Sequence, residues 1–236
     1  MLKKTNLLLL FFFLLCLINI WAEYNFDKTF IYCTKPLLMT TLAIWFWTKT
    51  GLKNIFSKLI FGALIFSIGG DTLLMFVESG GGEHFFILGL LSFLIAHCFY
   101  FFAFYKYQSK ARGWLRRSPW AGLPLLLYFG FFNGYLMPNV PAEMKIPVIV
   151  YSLAITAMAL ACLNLFGKLN NTLFQLIFIG VMLFVLSDSI IAINKFQSDQ
   201  LNIPYARLWI MTLYLTGQFL ITKGAAQATN QLSPNF

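Results

Sequence analysis

The chain has 236 residues, of which 59% are hydrophobic and only 11% are charged, and its net charge at pH 7 is +9. Soluble domains carry roughly a quarter charged residues, so this composition excludes a water-soluble fold and indicates that lipid surrounds most of the exterior. The basic residues lie in short loops between apolar runs. No contiguous polar domain could hold a nucleic-acid site, which excludes nucleic acid as a partner.

Eight apolar runs follow one another along the chain. Since a helix needs about 20 residues to cross about 30 Å of hydrocarbon, the sequence predicts an all-α fold, a polytopic transmembrane bundle of about eight helices that forms one integral membrane domain over residues 1–236. The second and fifth runs are short, and Pro36, Pro119 and Pro124 near their starts are typical of helix N-termini. The helices are expected near residues 7–22, 36–48, 59–77, 85–105, 120–136, 147–166, 172–193 and 205–222.

The first run follows Met-Leu-Lys-Lys and has the apolar character of a signal-peptide core. A signal peptide ends in a small-x-small cleavage pattern, and this pattern is weak after Trp21. We therefore interpret the run as a retained helix, and a cleaved signal peptide is the alternative.

The distribution of Lys and Arg predicts the orientation. With an inside start, twelve of the 17 basic residues fall on the inside, and five of those lie in the loop from Lys106 to Arg117. Because cytoplasmic loops are enriched in Lys and Arg, both termini are predicted to be cytoplasmic, in a bacterial inner membrane. Six of the eight acidic residues are assigned to outside segments: Glu23, Asp27, Glu78, Glu83, Glu143 and Asp199.

The remaining two acidic residues, Asp71 and Asp188, are embedded in the apolar third and seventh runs. A carboxyl group at bilayer depth costs several kcal/mol and usually marks a functional site, although interhelical hydrogen bonding is the structural alternative. Each Asp lies seven residues, or about 10 Å, before a charged residue at the outer end of its run. If the two helices are neighbours, the carboxyl groups can face one another. Gly69 and Gly70 leave room for a close neighbour, a ligand or a helix break.

The third and seventh runs also have the same orientation. Each begins after a basic inside loop and ends in a polar outside loop. Pairing Asp71 with Asp188 suggests two four-helix halves related by an axis along the membrane normal.

Further polar residues at helical spacing are candidates for substrate binding. Lys195 shares a helix face with Asp188. His97 and Tyr100 share a face of the fourth run, and Tyr214 and Gln218 share a face of the eighth. A lysine at the outer interface either anchors its helix there or contacts a phosphate. These candidates are Lys35, His97, Tyr100, Lys195, Tyr214 and Gln218.

Metal and cofactor chemistry has little support in the sequence. The chain has two histidines, one of them in a GGGEH loop, whereas a catalytic zinc site uses three protein ligands, mostly His. No H-E-x-x-H, G-x-S-x-G or P-loop pattern is present, and the four cysteines have no C-x-x-C spacing. We expect no metal and no cofactor, and we interpret the cysteines as packing residues.

Several short motifs in a fixed order carry a resemblance over nearly the whole chain after the first helix. They are Lys35-Pro36-Leu37, Gly70-Asp71-x-x-Leu74, Phe93-x-x-x-His97-x-x-Tyr100, the stretch YSLAITAM from Tyr151 to Met158, Ser187-Asp188 through Lys195-Phe196, and Tyr214-x-x-x-Gln218-x-x-Ile221. Together they resemble the YhhN-like lysoplasmalogenase family.

The resemblance implies hydrolysis of the vinyl ether bond of a lysophospholipid substrate, a lysoplasmalogen, to a fatty aldehyde and glycerophosphoethanolamine or glycerophosphocholine. It also implies that Asp71 and Asp188 are catalytic and that Ser187 belongs to the substrate site. Two other functions remain open on the same residues: a secondary transporter coupled to protons or cations through the two aspartates, and a lipid-binding or scaffold protein without turnover.

Overall fold

The structure, a computed structural model, describes residues 4–78, 82–107 and 111–232. Within these ranges the regular structure is helical, apart from one isolated bridge between Phe166 and Leu169. Nine α-helices and two 3₁₀ turns occur there: α1 (Lys4–Asn25), α2 (Lys28–Thr50), α3 (Ile55–Glu78), α4 (Glu83–Tyr105), α5 (Trp114–Arg117), a turn at Pro119–Gly122, α6 (Leu123–Leu136), a turn at Met137–Asn139, α7 (Ala142–Leu163), α8 (Asn171–Phe196) and α9 (Ala206–Leu232).

The all-α membrane fold predicted from the sequence is confirmed. A helix occupies each of the eight expected stretches, and the four-residue α5 is additional. Six helices are long and apolar enough to cross a membrane: α1, α2, α3, α4, α7 and α8. Two more of the expected helices, α6 and α9, do not meet this criterion, for separate reasons. With 14 residues, α6 is only about 21 Å long, and α9 is long but carries many polar residues in its second half.

The start of α2 corrects the sequence-based boundary. The helix begins at Lys28 rather than near residue 36, because the Asp27 side chain caps it by accepting hydrogen bonds from the backbone N–H groups of Thr29 and Phe30. Pro36 therefore lies inside the helix and not at its N-terminus. Likewise α7 begins at Ala142, directly after Pro141, and contains Pro147.

The end of α9 also extends beyond the apolar run, to Leu232 rather than residue 222. Ala225, Ala228 and Thr229 are buried, and the Asn54 side chain donates to the carbonyl of Thr229 at 3.5 Å. Small residues pack closely without contributing much hydropathy, so a search for apolar runs ends this helix too early.

The helices form two compact units. The first holds α1, α2, α3, α4 as far as Ala103, and α9 from Ala225 onward. In it α1 packs on α2 and α2 on α3, and α3 meets α4 where the Phe93 ring lies so close to Gly70 that an added Cβ would be 2.5 Å from it. Of the three interpretations of the glycines beside Asp71, the structure selects a close neighbour, since α3 is continuous through them.

The second unit comprises Phe104–Gly224. Here α6 packs on α7 and α7 on α8. The closest approach of α8 and α9 is glycine to glycine: a Cβ built on Gly180 would lie 2.7 Å from the carbonyl oxygen of Gly217, and one on Gly217 would lie 2.7 Å from that of Gly180. This contact holds α9 against α8 about two turns before Asp188.

Candidate functional site

Asp188 lies on α8, partly buried, and is bonded to a tyrosine of the neighbouring helix α7. The Tyr151 hydroxyl donates to Asp188 Oδ2 at 2.5 Å. The bond therefore fixes the orientation of this carboxyl group between two apolar helices.

The two serines on either side of Asp188 connect α8 to further helices. Ser187 is fully buried, and its hydroxyl donates to the carbonyl of Ile210 on α9 at 3.0 Å. The Ser189 hydroxyl donates to the carbonyl of Val185 at 2.6 Å and is hydrogen-bonded to the Tyr128 hydroxyl on α6. One turn of α8 thus makes polar contacts with α6, α7 and α9, which is a rigid setting for a carboxyl group.

More polar groups of the second unit form hydrogen bonds between its helices. The Ser152 hydroxyl donates to the side chain of Asn133 at 3.0 Å. Gln197, 1% exposed, accepts from the Asn139 side chain and donates to the carbonyl of Tyr135, both at 2.6 Å. These residues and the tyrosines near Asp188 were not among the sequence-predicted site residues. Tyr151 and Ser152 do open the YSLAITAM motif, which was the available signal.

The other intramembrane aspartate belongs to the first unit. Asp71 lies on α3 and is 8% exposed. On α4, His97 and Tyr100 are fully buried, and their role in substrate binding remains a prediction. The Ser92 hydroxyl donates to the carbonyl of Phe66 at 2.6 Å and so connects α4 to α3 one turn before Asp71. Asp71 is therefore a buried carboxyl group on a closely packed helix pair.

Lys35 forms an ion pair that the sequence did not predict. Its ammonium group lies 2.9 Å from Glu23 Oε1, and the two side chains are 11% and 0% exposed. The sequence predicted Glu23 in the segment after the first helix, whereas it lies within α1, which continues to Asn25 and buries it. The Asn19 side chain also donates to the Thr34 hydroxyl at 2.8 Å. Both contacts hold α1 against α2.

The remaining candidates divide into buried and exposed residues. On α9, Tyr214 and Gln218 are buried. The Tyr214 ring lies edge-on to the Phe184 ring, with the ring centroids 5.3 Å apart. Lys195 is exposed in the last turn of α8. Among the described residues no cluster of three or more His, Cys, Asp or Glu side chains could hold a metal ion. Metal-independent function remains a prediction.

Several relatives of this chain are named as lysoplasmalogenases. Lysoplasmalogenase TMEM86A of Bos taurus is 31% identical over 172 residues, which cover 72% of this chain and 65% of that protein, slightly less than two thirds. Lysoplasmalogenase TMEM86B of Homo sapiens is 27% identical over 209 residues, or 89% of this chain and 81% of the relative. TMEM86B of Sus scrofa is 30% identical over 76% of this chain and 68% of its own. No solved structure is significantly similar.

The match to a protein family covers most of the described helices. The YhhN family matches residues 30–225, which includes both intramembrane aspartates, Lys35 and Tyr151, and leaves α1 outside the match. All six motifs noted in the sequence fall within this range. On this extent of similarity, the chain belongs to the YhhN family.

Proposed function

We propose that this protein is a membrane-embedded hydrolase that cleaves the vinyl ether bond of lysoplasmalogens, releasing a fatty aldehyde and glycerophosphoethanolamine or glycerophosphocholine. The relatives named as lysoplasmalogenases support the substrate class. The observation that carries the mechanism is a hydrogen bond within the apolar helix bundle: the Asp188 carboxyl group accepts it from the Tyr151 hydroxyl at 2.5 Å.

Vinyl ether hydrolysis requires an acid and an anion. A proton adds to the β-carbon of the C=C bond and leaves an oxocarbenium ion, water adds to its carbon and loses a proton, and the resulting hemiacetal breaks its C–O bond to give aldehyde and alcohol. Protonation of carbon is the slow step. Glycosidases use two carboxyl groups for a related oxocarbenium ion. In this protein Asp71 and Asp188 are the proposed pair.

The hydrogen bond to Asp188 suggests how the two roles divide. A phenol O–H that donates to a carboxyl oxygen favours the ionised form of that group, and Tyr151 makes this bond. We assign Asp188 as the anion that stabilises the oxocarbenium ion and orients water. Asp71, buried on α3, is then the general acid that supplies the proton. Tyr151 acts through Asp188 and is a positioning residue.

The test is aldehyde release from a defined lysoplasmalogen by the purified protein. The matched saturated alkyl ether, which lacks a protonatable double bond, should not react. Asp71→Asn and Asp188→Asn should each lower kcat by about 10²–10⁴-fold, the usual value of general acid–base catalysis. The double variant should be little worse than the worse single one, because residues that act as a unit are not additive. The rate should fall in D₂O.

The matched control is Asp199→Asn, the same change at an exposed loop position, which should keep full activity. Suppose that the wild-type protein is active and that one of the two Asn variants is folded and keeps its activity. The aspartate replaced in that variant would then serve only in hydrogen bonding between helices. If the wild-type protein releases no aldehyde but its aspartates are needed for proton or cation flux in proteoliposomes, it is a transporter and the proposal is wrong.

The role of Tyr151 has its own test. Tyr151→Phe removes a hydrogen bond to a charged group, worth about 1.5–3 kcal/mol, so kcat should fall by about 10–150-fold while KM stays close to its original value. Tyr128→Phe is the control, since its hydroxyl is bonded to Ser189 rather than to a carboxyl group, and it should lose much less. Equal losses in the two variants would mean that Tyr151 only supports the fold.

A further inference from the structure

The short helix α5 is held on the connection between α7 and α8 in the second unit. Gly113 approaches Asn164 so closely that a Cβ there would lie 2.2 Å from the Asn164 carbonyl oxygen. The Asn164 side chain accepts from the backbone N–H of Leu115 at 3.1 Å. The Trp114 ring packs on Phe166 with centroids 4.9 Å apart. These contacts fix α5 relative to residues 164–170.

This packing brings basic residues from two connections together. Arg112, Arg116 and Arg117 are exposed, and Lys168 is partly exposed on the α7–α8 connection. Burial lowers the pKa of Lys168, and the charge of Arg116 lowers it further. The fold thus holds like charges close enough to repel one another, and a bound anion would relieve that repulsion.

The chain offers no carboxylate nearby in sequence to neutralise these charges. No Asp or Glu occurs between Glu83 and Glu143, or between Glu143 and Asp188. In the predicted orientation, the side that carries this cluster has twelve Lys and Arg residues and none of the eight acidic residues of the chain. The sequence around the cluster is therefore uniformly basic, and this favours an anionic ligand.

Two exposed indoles beside the cluster indicate the depth at which it lies. Trp114 belongs to α5, and Trp120, 78% exposed, lies in the turn before α6. Tryptophan is enriched at the level of the lipid headgroups. The arginines next to these indoles are therefore expected at the level of the lipid phosphates, where a guanidinium group can bind a phosphate through two hydrogen bonds.

We propose that Arg112, Arg116, Arg117 and Lys168 form a binding site for the phosphate-bearing headgroup of an anionic phospholipid of the cytoplasmic leaflet. The site is separate from the proposed hydrolase chemistry and does not depend on it. It would hold α5 and the α7–α8 connection at the membrane surface.

The test measures phosphatidylglycerol binding to the detergent-solubilised full chain by native mass spectrometry, with phosphatidylcholine as the neutral comparison. A basic residue near an anionic surface contributes about fivefold to binding, so Arg116→Gln/Lys168→Gln should weaken phosphatidylglycerol binding by about 30-fold. The matched control is Lys53→Gln/Lys58→Gln, which removes two exposed lysines on the same predicted side and should have no such effect. Aldehyde release should be the same in all three proteins.

Three outcomes would overturn the proposal. The first is that the control variant loses as much phosphatidylglycerol binding as the test variant. The second is that phosphatidylcholine binds as well as phosphatidylglycerol. The third is that inorganic phosphate, at a concentration similar to that of the lipid, displaces the lipid. A measurement on the unmutated residue covers the case in which the double variant does not fold. NMR of ¹³C-methylated lysines, with Lys168→Arg to identify the resonance, should show that phosphatidylglycerol raises the pKa of Lys168. An unchanged Lys168 titration would exclude the site.

Discussion

At the scale of single residues, the ion pair of Glu23 with Lys35 shows what burial requires of a charge. Both side chains are nearly inaccessible and their charged atoms lie 2.9 Å apart. Removing one partner of a buried pair leaves an uncompensated charge and costs about 3–5 kcal/mol, whereas replacing both can be nearly neutral. The contact therefore makes the attachment of α1 to α2 depend on both residues.

The corresponding prediction concerns stability. Glu23→Gln and Lys35→Met should each lower the unfolding temperature in detergent, and Glu23→Gln/Lys35→Met should recover much of the loss, because no unpaired charge remains. Glu143→Gln, at an exposed position in the first turn of α7, is the control and should change nothing. If the loss of unfolding temperature in the double variant equals the sum of the two single losses, Glu23 and Lys35 are not directly coupled. A raised KM in Lys35→Met alone would identify the predicted phosphate contact.

Sequence reasoning finds residues that break a pattern and misses those that fit it. Asp71 and Asp188 were evident as charges within apolar runs. Tyr151 and Tyr128 were not, since a tyrosine is ordinary in an aromatic-rich membrane helix, and its hydrogen bond depends on which helices pack together. Ser189 and Asn133 were missed for the same reason. Their contacts join α8 to α6 and α7 to α6, pairings that the apolar periodicity does not specify.

At the scale of helices, the positions of all eight expected elements were right, and their ends were less accurate. The error at α2 came from treating Pro36 as a start, although Asp27 supplies a stronger cap. The error at α9 came from its small buried residues. Hydropathy measures affinity for lipid, whereas helix ends are set by capping and by packing on neighbours.

The glycine contact of α8 with α9 gives a prediction for one helix pair. Gly180→Ala should destabilise the protein by about 1–3 kcal/mol, the usual cost of overpacking, because the new Cβ would meet the backbone of Gly217 at 2.7 Å. Gly130→Ala on α6 is the matched control. A Cβ there meets nothing within 4 Å, and alanine is the better helix former, so this variant should be neutral or more stable. Equal thermal stability of the two variants would contradict the close approach.

At the scale of the whole molecule, the orientation depends on whether the short α6 crosses the membrane. Its 14 residues span about 21 Å, less than the hydrocarbon thickness of about 30 Å. The turns at Pro119–Gly122 and Met137–Asn139 adjoin its two ends and lengthen the segment available for crossing. If α6 and α9 cross in addition to the six clear spans, the total is eight, and an even number predicts both termini on one side.

The last prediction tests that arrangement through residues on either side of α6. In a background without the four native cysteines, Lys145→Cys should react with a membrane-impermeant maleimide in intact cells, whereas Arg112→Cys should react only after permeabilisation. The reason is that twelve of 17 basic residues are predicted to lie on the same side as residue 112, and cytoplasmic loops retain positive charge. Both substituted side chains are exposed, so accessibility within the fold is matched. Labelling of residue 112 in intact cells would reverse the orientation, and equal behaviour of the two positions would show that α6 does not cross.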